Sequence, residues 1–345
     1  MRLDRLITLA AVRPLRILVR KSCRLLPFAP RSLPRVLPIL MYHSISDDPE
    51  PGVHPYYRLC TTPRRFAEQM RWLADNGYRG VTLTEGLAWL SELSAEIENP
   101  KSKIQYLQPV ALTFDDGFYD FYTDAFPVLQ ESGFSATMYL PTAFIGDTRR
   151  MFSPSTVLSR SVLGPRSSIL RPRPCLTWSE VHELHAAGIE FGSHTASHPR
   201  LGDQCWDEIE SEIQIPKSEI EGRLSADVTA FAYPYAFPHA DGEFVRRFCN
   251  LLRDVGYETN VTTQIGSVRV ADDLLQLRRL PINDADDQSL FLAKLAGAYD
   301  WLGGLQTLSK RHRFKYLRRR KGRDNCPGEL QSKASNPARA VISSS

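Results

Sequence analysis

The sequence predicts an α/β fold arranged as a barrel of parallel strands, and three observations carry that expectation. Short apolar runs alternate with stretches whose apolar residues recur at helical spacing, the pattern of repeated β-α units around a parallel sheet. The segment from residue 38 to 305 is 268 residues long, close to the ~250 typical of a single α/β barrel and long enough to bury a large core. The polar residues with the most chemical potential stand where apolar runs end, and barrels of parallel strands gather catalytic groups at the C-terminal ends of their strands.

In chain order, the strand pattern begins at Pro38 and the first strand is expected over 38–46. Phe66-Ala-Glu-Gln-Met-Arg-Trp-Leu-Ala carries apolar residues at helical spacing and stops at Asn76-Gly77, a normal helix end. A second strand is expected over 78–83, followed by a helix around Leu87 and Leu90, and later strands over 110–114, 136–140, 189–193, 228–233, 259–263 and 276–282. Residues 147–175 interrupt this regularity with Arg149-Arg150, Pro154, Pro165 and Arg171-Pro-Arg-Pro174, and are expected to form a long loop near the mouth of the site. Such a loop serves either substrate or simple connection, and connection is the plainer expectation.

Thr113-Phe-Asp-Asp-Gly117 places two adjacent carboxylates directly after the apolar run Val110-Ala-Leu. Successive side chains of a strand point to opposite sides. Asp115 and Asp116 therefore face one site together only where the strand ends and the chain turns, which Gly117 permits. One carboxylate can then bind a metal while its neighbour handles a proton; with no cation between them, two such groups in a cleft repel. Taken alone, the pentapeptide serves equally well as an Asp-Asp-Gly turn closing a strand. Some eighty residues on, Ile189-Glu-Phe-Gly-Ser-His-Thr-Ala-Ser-His-Pro199 offers His194 and His198 four apart at an expected strand-to-helix junction. One turn of helix would bring both rings to the same face. With one carboxylate they make three ligands and leave positions open for water and substrate, as in a catalytic site. By itself a pair of surface or core histidines has the same spacing.

Taken together, these segments resemble the first two motifs of the NodB-homology polysaccharide deacetylases, carbohydrate esterase family 4. Ala125-Phe-Pro-Val-Leu, Gly133-Phe-Ser-Ala-Thr-Met-Tyr-Leu-Pro141, Leu176-Thr-Trp-Ser-Glu and Phe231-Ala-Tyr-Pro-Tyr235 are similar to family segments in family order, and the likeness covers about residues 38 to 300. Ile39-Leu-Met-Tyr-His-Ser-Ile45 is similar to a subgroup acting on poly-N-acetylglucosamine. The resemblance implies a distorted (β/α)7-type barrel of the glycoside hydrolase/deacetylase kind. It also implies metal-dependent hydrolysis of N-acetyl groups from an N-acetylglucosamine-type polysaccharide, oligosaccharide or lipid-linked glycan. Asp116, His194 and His198 would hold the metal, Asp115 would take the proton of the attacking water, and the backbone N–H of Tyr235 would help stabilise the oxyanion. Two imidazoles and a carboxylate suit Zn2+, and the same set accepts Co2+, Ni2+ or Mn2+.

Two departures bear on the detail. Many members carry Phe-Arg-Pro-Pro-Tyr-Gly, with an Arg that pairs with the base, where this chain has Phe231-Ala-Tyr-Pro-Tyr-Ala236. Arg279, on the last strand, is the candidate to supply that charge, since a guanidinium forks onto a carboxylate, while Arg278 would point to solvent. No His stands near 276–290 to protonate the departing amine. His43 is the best substitute, with His239 behind it, and a buried His satisfied by its neighbours is the competing expectation. The same departures keep open a glycan-binding or scaffold protein with weakened catalysis.

The termini differ from the body in charge. The whole chain carries +4, yet residues 1–36 hold nine Lys/Arg against one acid and residues 307–345 hold eleven against two, so the remainder has 23 basic and 36 acidic side chains, or −13. Three units are therefore expected: a basic amphipathic leader over 1–37, a catalytic domain over 38–305, and a basic, disordered tail over 306–345. No apolar run in the leader reaches the ~20 residues that span a bilayer, and Arg13-Pro14 follows where a signal peptide needs small residues. An interfacial helix on anionic lipid and a disordered or mis-assigned start stand level. The six Cys make no CxxC pair, and free thiols favour the cytoplasm, with a peripheral place on the inner face of the membrane as an option and export as the alternative. The expected partner is an N-acetylated glycan, with peripheral contact to anionic membrane, no nucleic acid, and a monomeric state.

Overall fold

The architecture follows from one strand with three neighbours. In the computed structural model, which describes residues 2–14, 36–48, 50, 53–98, 107–152 and 172–306, the barrel strands are β1 (Ile39–Tyr42), β2 (Tyr78–Val81), β3 (Gln108–Phe114), β4 (Thr137–Leu140), β5 (Glu190–Ser193), β6 (Ala230–Ala232), β7 (Thr259–Ile265) and β8 (Leu277–Pro281). All neighbouring pairs are parallel, in the order β1-β8-β7-β6-β5-β4-β3, and β3 pairs back to β1 to close a ring of seven. The eighth, β2, lies outside the ring. It pairs with the first half of β3, Tyr78↔Gln108 through Val81↔Ala111, until β4 takes over the same edge at Thr113↔Thr137. Since β4 starts only at Thr137, β2 covers backbone groups that would otherwise form an open edge, and this is the distortion of the barrel.

Strand periodicity sorts the side chains. Ile39, Ala111, Tyr139, Ala230, Ala232, Val261 and Leu277 form one buried cluster on the inside; Leu40, Tyr42, Leu112, Phe114, Met138, Phe191, Phe231 and Leu280 belong to the larger core between strands and helices. The outer layer is α1 (Pro63–Asp75), α2 (Leu83–Glu98), α3 (Phe126–Ser132), α4 (Trp178–Ala186), α5 (Trp206–Leu224), α6 (Gly242–Val255) and α7 (Gln288–Leu295). Local signals set their starts: Thr62 caps α1 through the Arg65 N–H with Pro63 following, and Thr177 and Glu180 form a reciprocal capping box on α4.

Three expectations meet the structure differently. The single strand expected over 38–46 is two pieces, because after Tyr42 the chain leaves the barrel and Ser44–Ile45 pairs with Cys60–Thr61, leaving His43 between them. The expected leader is not wholly separate, since a helix over Leu3–Ile7, continued by a wider turn over Thr8–Val12, packs beside α7 with Arg2 and Thr8 buried, and Val36–Leu37 pairs with Val268–Arg269. Residues 15–35, most of the long loop (153–171) and the tail from 307 lie outside the described residues. Cys60, Cys175 and Cys249 are buried free thiols, whereas Cys205 is disulfide-bonded, which removes the uniform thiol argument for a reducing compartment. Among the described residues no helix is long and apolar enough to cross a membrane.

Gly192 tests the packing inside the ring. A Cβ there would stand 2.6 Å from the Tyr139 ring and 2.7 Å from the Ala230 carbonyl oxygen, and the backbone neighbour cannot swing away. Gly192→Val is expected to lose at least about 2 kcal/mol of stability by overpacking, read from the urea midpoint; an unchanged midpoint would mean that strands β4, β5 and β6 are not so closely joined.

Candidate active site

Asp115 lies one step beyond the inward line Ala111–Thr113 of β3, so alternation carries its carboxylate onto the axis of the barrel. From the other side of β1, Arg279 of β8 lies on the inward line begun by Leu277. Its two terminal nitrogens donate to the two oxygens of Asp115, 2.7 Å each. The guanidinium also donates through Nε to the Thr262 carbonyl at 3.1 Å and to Thr113 Oγ1 at 3.2 Å, and it is wholly buried. Burial raises the pKa of Asp115, but the charge and hydrogen bonds of Arg279 outweigh it and hold the carboxyl well below the usual range. Arg278, one residue earlier, faces the other way and pairs with Asp272 at 2.5 Å.

Asp116 reaches the same site by a turn of the backbone: it sits at φ 73 and Gly117 at φ 60. The segment 175–177 braces this turn, with the Leu176 N–H donating to the Gly117 carbonyl at 2.9 Å. Oδ1 of Asp116 then stands 3.5 Å from Nε2 of His194 and 3.3 Å from Nε2 of His198, and one ligand atom from each of the three residues lies within 4.8 Å of the others. His194 follows directly on β5 and donates from Nδ1 to the Ala232 carbonyl at 2.7 Å, leaving Nε2 as the donor toward a metal.

The helical turn expected to join the two histidines is absent. Thr195 and His198 have φ 66 and 56, and α5 begins only at Trp206. Pro199 disfavours the α conformation at His198. The loop is instead held from outside by Glu212 of α5, whose carboxylate accepts from the Ala196 N–H (2.9 Å), the Ser197 N–H (2.8 Å) and the Ser197 hydroxyl (2.5 Å). Of the six non-glycine residues with positive φ among those described, Asp116, Thr195, His198 and Tyr235 belong to this site; such backbone is costly and persists where its surroundings overdetermine it.

The donor set fits a divalent cation. Oδ1 of Asp116 is buried with no hydrogen-bond partner among the described residues. Burial first, and then the charge of Asp115, push its carboxyl well above the ordinary range, which is the strain that a cation relieves. Burial lowers the pKa of both His194 and His198, favouring the neutral imidazoles that ligate metals.

The remaining candidates take distinct places. His43 Nε2 is 3.9 Å from Asp115 Oδ2, in contact but beyond hydrogen-bond length. Burial lowers its pKa to about 4 against the opposing charge of Asp115, with Arg279 adding to the fall. Tyr235 turns at φ 57 after Pro234, its ring centroid 4.6 Å from that of His198, while His239 packs on Phe237 at 4.6 Å. Three contributors escaped the sequence analysis. Phe152 packs on the His198 ring at 5.2 Å, and Glu212 supports the histidine loop. Arg173 bonds Ser44 Oγ and Asp48 Oδ2, 2.8 Å each, tying the 173–177 segment to the chain leaving β1. Arg173 stands in the Arg-Pro-Arg-Pro run that was expected to line the mouth; Phe152 and Glu212 carry no local signal at all.

Comparisons with known proteins agree with this geometry. A family model described as polysaccharide deacetylase matches residues 106–259. The chain is 27% identical over 266 residues to the protein YxkH of Bacillus subtilis (strain 168), whose name places it provisionally among polysaccharide deacetylases, and the match covers 77% of this chain and 76% of that one. Among solved structures, BA0330 of Bacillus anthracis, also named provisionally as a polysaccharide deacetylase, is 26% identical with a TM-score of 0.53, over 76% of this chain and 69% of that one. The deacetylase PplD of Streptococcus pyogenes shares the fold at 24% identity and a TM-score of 0.54, over 76% of this chain and 99% of that one. Residues 106–259, which include the Asp-Asp turn and the paired histidines, thus match the polysaccharide deacetylase family model, and these similarities indicate a deacetylase hydrolase.

The Arg279–Asp115 pair gives a prediction with a definite sign. A carboxyl whose folded pKa is depressed contributes stability above its unfolded value of ~3.9 and loses it as pH falls through the folded value. Arg279→Gln removes the largest interaction that opposes burial, leaving only the smaller effects of His194 and His43, so the Asp115 pKa should rise and the acid limb of the pH–rate profile should move to higher pH. The variant is also expected to lose about 3–5 kcal/mol at pH 7, the cost of orphaning a buried charge, by urea denaturation. Parental stability together with a parental pH profile would remove Arg279 from the site.

Proposed function

We propose that the protein is a metal-dependent N-deacetylase acting on an N-acetylglucosamine-type polysaccharide, oligosaccharide or lipid-linked glycan. The observation that carries this is an ionised carboxylate, Asp115, fixed by Arg279 beside three buried donors, Asp116, His194 and His198, that converge within 4.8 Å. A divalent cation held by those three would supply a Lewis acid for the acetyl carbonyl and lower the pKa of a water. Zn2+ suits the donor set best, with Co2+, Ni2+ and Mn2+ as alternatives.

The rest falls to the chain itself. Asp115 accepts the proton of the water that attacks the acetyl carbon. The backbone N–H of Tyr235, in its left-handed turn beside His198, donates to the oxyanion that forms. When the C–N bond breaks, acetate leaves and the amine requires a proton. His43 is neutral at pH 7, because its pKa lies at about 4, so it cannot bring a proton of its own. It is, however, 3.9 Å from the carboxylate that has just received one, and the pair can pass that proton to nitrogen. An amide needs this delivery, because an unprotonated nitrogen is a very poor leaving group. The scaffold alternative rested on the missing Arg and His, and the Arg279 fork takes away half of its basis.

Removal of the cation by chelator should abolish acetate release from an N-acetylated oligosaccharide, and added Zn2+ should restore it; full activity in metal-free protein would sink the proposal. The two aspartates should separate. Asp116→Ala is expected to lose metal and activity together. Asp115→Asn should retain stoichiometric metal, measured by atomic absorption, while losing about 10²-fold or more in rate. Equal metal loss in both variants would require their functions to be reassigned.

A further inference from the structure

The N-terminal helix is fastened the opposite way round from an ordinary surface helix. Its polar side chains face the protein. Arg2 donates to Asp286 at 3.2 Å, Asp4 accepts from Arg2 at 2.7 Å and from the Tyr299 hydroxyl at 2.5 Å, Arg5 pairs with Asp287 at 2.5 Å, and Trp301 Nε1 donates to Thr8 Oγ1 at 3.0 Å. What it shows to the outside is apolar: Leu3 is 68% and Leu6 43% exposed, and Ala10, Ala11 and Pro14 are the other exposed positions of residues 2–14. Leu3, Leu6, Ala10 and Pro14 follow helical spacing and form one stripe. The charged residues Arg2, Asp4, Arg5 and Arg13 are all buried or half-buried.

A helix normally docks by its apolar stripe and gives its charges to water. Here a set of ion pairs and hydrogen bonds does the docking and leaves the stripe outward, the arrangement that suits an apolar neighbour. The charge of the following sequence says which. Residues 13–35 carry Arg13, Arg16, Arg20, Lys21, Arg24, Arg31 and Arg35 with no acid. Two copies of a chain with seven like charges in this segment repel one another there, whereas an anionic lipid surface attracts them. We infer that the outward face of the N-terminal helix, centred on Leu3 and Leu6, seats the protein on an anionic lipid surface. Asp286 and Asp287 lie in the turn that follows β8, at the end of the barrel that holds the metal ligands. In the same turn, Asn283 donates to the carbonyls of Pro55 and Arg58 on the chain that leaves β1 past His43. The N-terminal helix is therefore fastened at that end of the barrel. Seated there, the site opens toward glycans held at the same surface, a consequence that rests on the function proposed above.

The test is flotation of the full chain with vesicles of phosphatidylcholine alone or with phosphatidylglycerol, compared with Leu3→Asp/Leu6→Asp. Both leucines are exposed, so an unchanged melting temperature should attend the variant. Wild-type protein should float with phosphatidylglycerol vesicles and be partly released by salt, and the variant should bind at least about tenfold less, through loss of two inserted side chains. Wild-type protein that stays unbound, or a variant that floats as well as wild type, overturns the inference. So does a variant that turns a dimer into a monomer on gel filtration without lipid, since the face would then belong to a second copy. Flotation is read without substrate: a protein that floats but releases no acetate overturns the deacetylase proposal and leaves this one standing.

Discussion

Inside the barrel a guanidinium and a carboxylate are both withdrawn from water, and each is tolerable there because the other lies 2.7 Å away. Either charge alone would cost several kcal/mol to bury. The pair therefore spans β1 to link its two neighbours, β3 and β8, and it can form only if the ring closes in the register that brings Leu40 opposite Leu112 and Leu280 opposite Leu40. The chemistry depends on the same contact. Arg279 keeps Asp115 ionised in a buried site, and an ionised Asp115 adds to burial in raising the cost of charging Asp116 in the absence of a cation.

The candidate metal ligands are placed by strained backbone. Asp116 would point out of the barrel if β3 continued its alternation, and its left-handed turn brings it back beside Asp115. His198 is likewise turned toward His194 by two left-handed residues and a following proline. Neighbouring elements hold these conformations: the 175–177 segment braces the aspartate turn, and Glu212 accepts three hydrogen bonds from the histidine loop. A rigid ring thus carries turns that would not persist on their own.

The charge partner of Asp115 has moved within the fold while its place in the geometry is kept. Ala232 stands where many family members carry arginine, and the chain uses its backbone carbonyl to orient His194 instead. The guanidinium comes from β8. Because both positions open onto one barrel interior, charge can be delivered to Asp115 from either wall. The departure in the 231–236 motif is therefore compatible with an active site that the missing arginine had put in doubt.

Sequence by itself determined most of the barrel strands and the candidate donors, because alternation and Asp-Asp-Gly are signals written over a few adjacent residues. Inward-facing Arg279 was legible in the same way, since the alternation from Leu277 puts it on the inner line and Arg278 on the outer. Tertiary structure decided what depends on distant contacts. The break at His43 arises because Ser44–Ile45 finds Cys60–Thr61. The histidines meet through a loop held by Glu212, where local spacing had pointed to a helical turn. Phe152, Glu212 and Arg173 act only through neighbours far along the chain, and the N-terminal helix has an amphipathic pattern that cannot say which face will turn inward. That choice was made by Asp286, Asp287, Tyr299 and Trp301, nearly three hundred residues away, and no local pattern contains them.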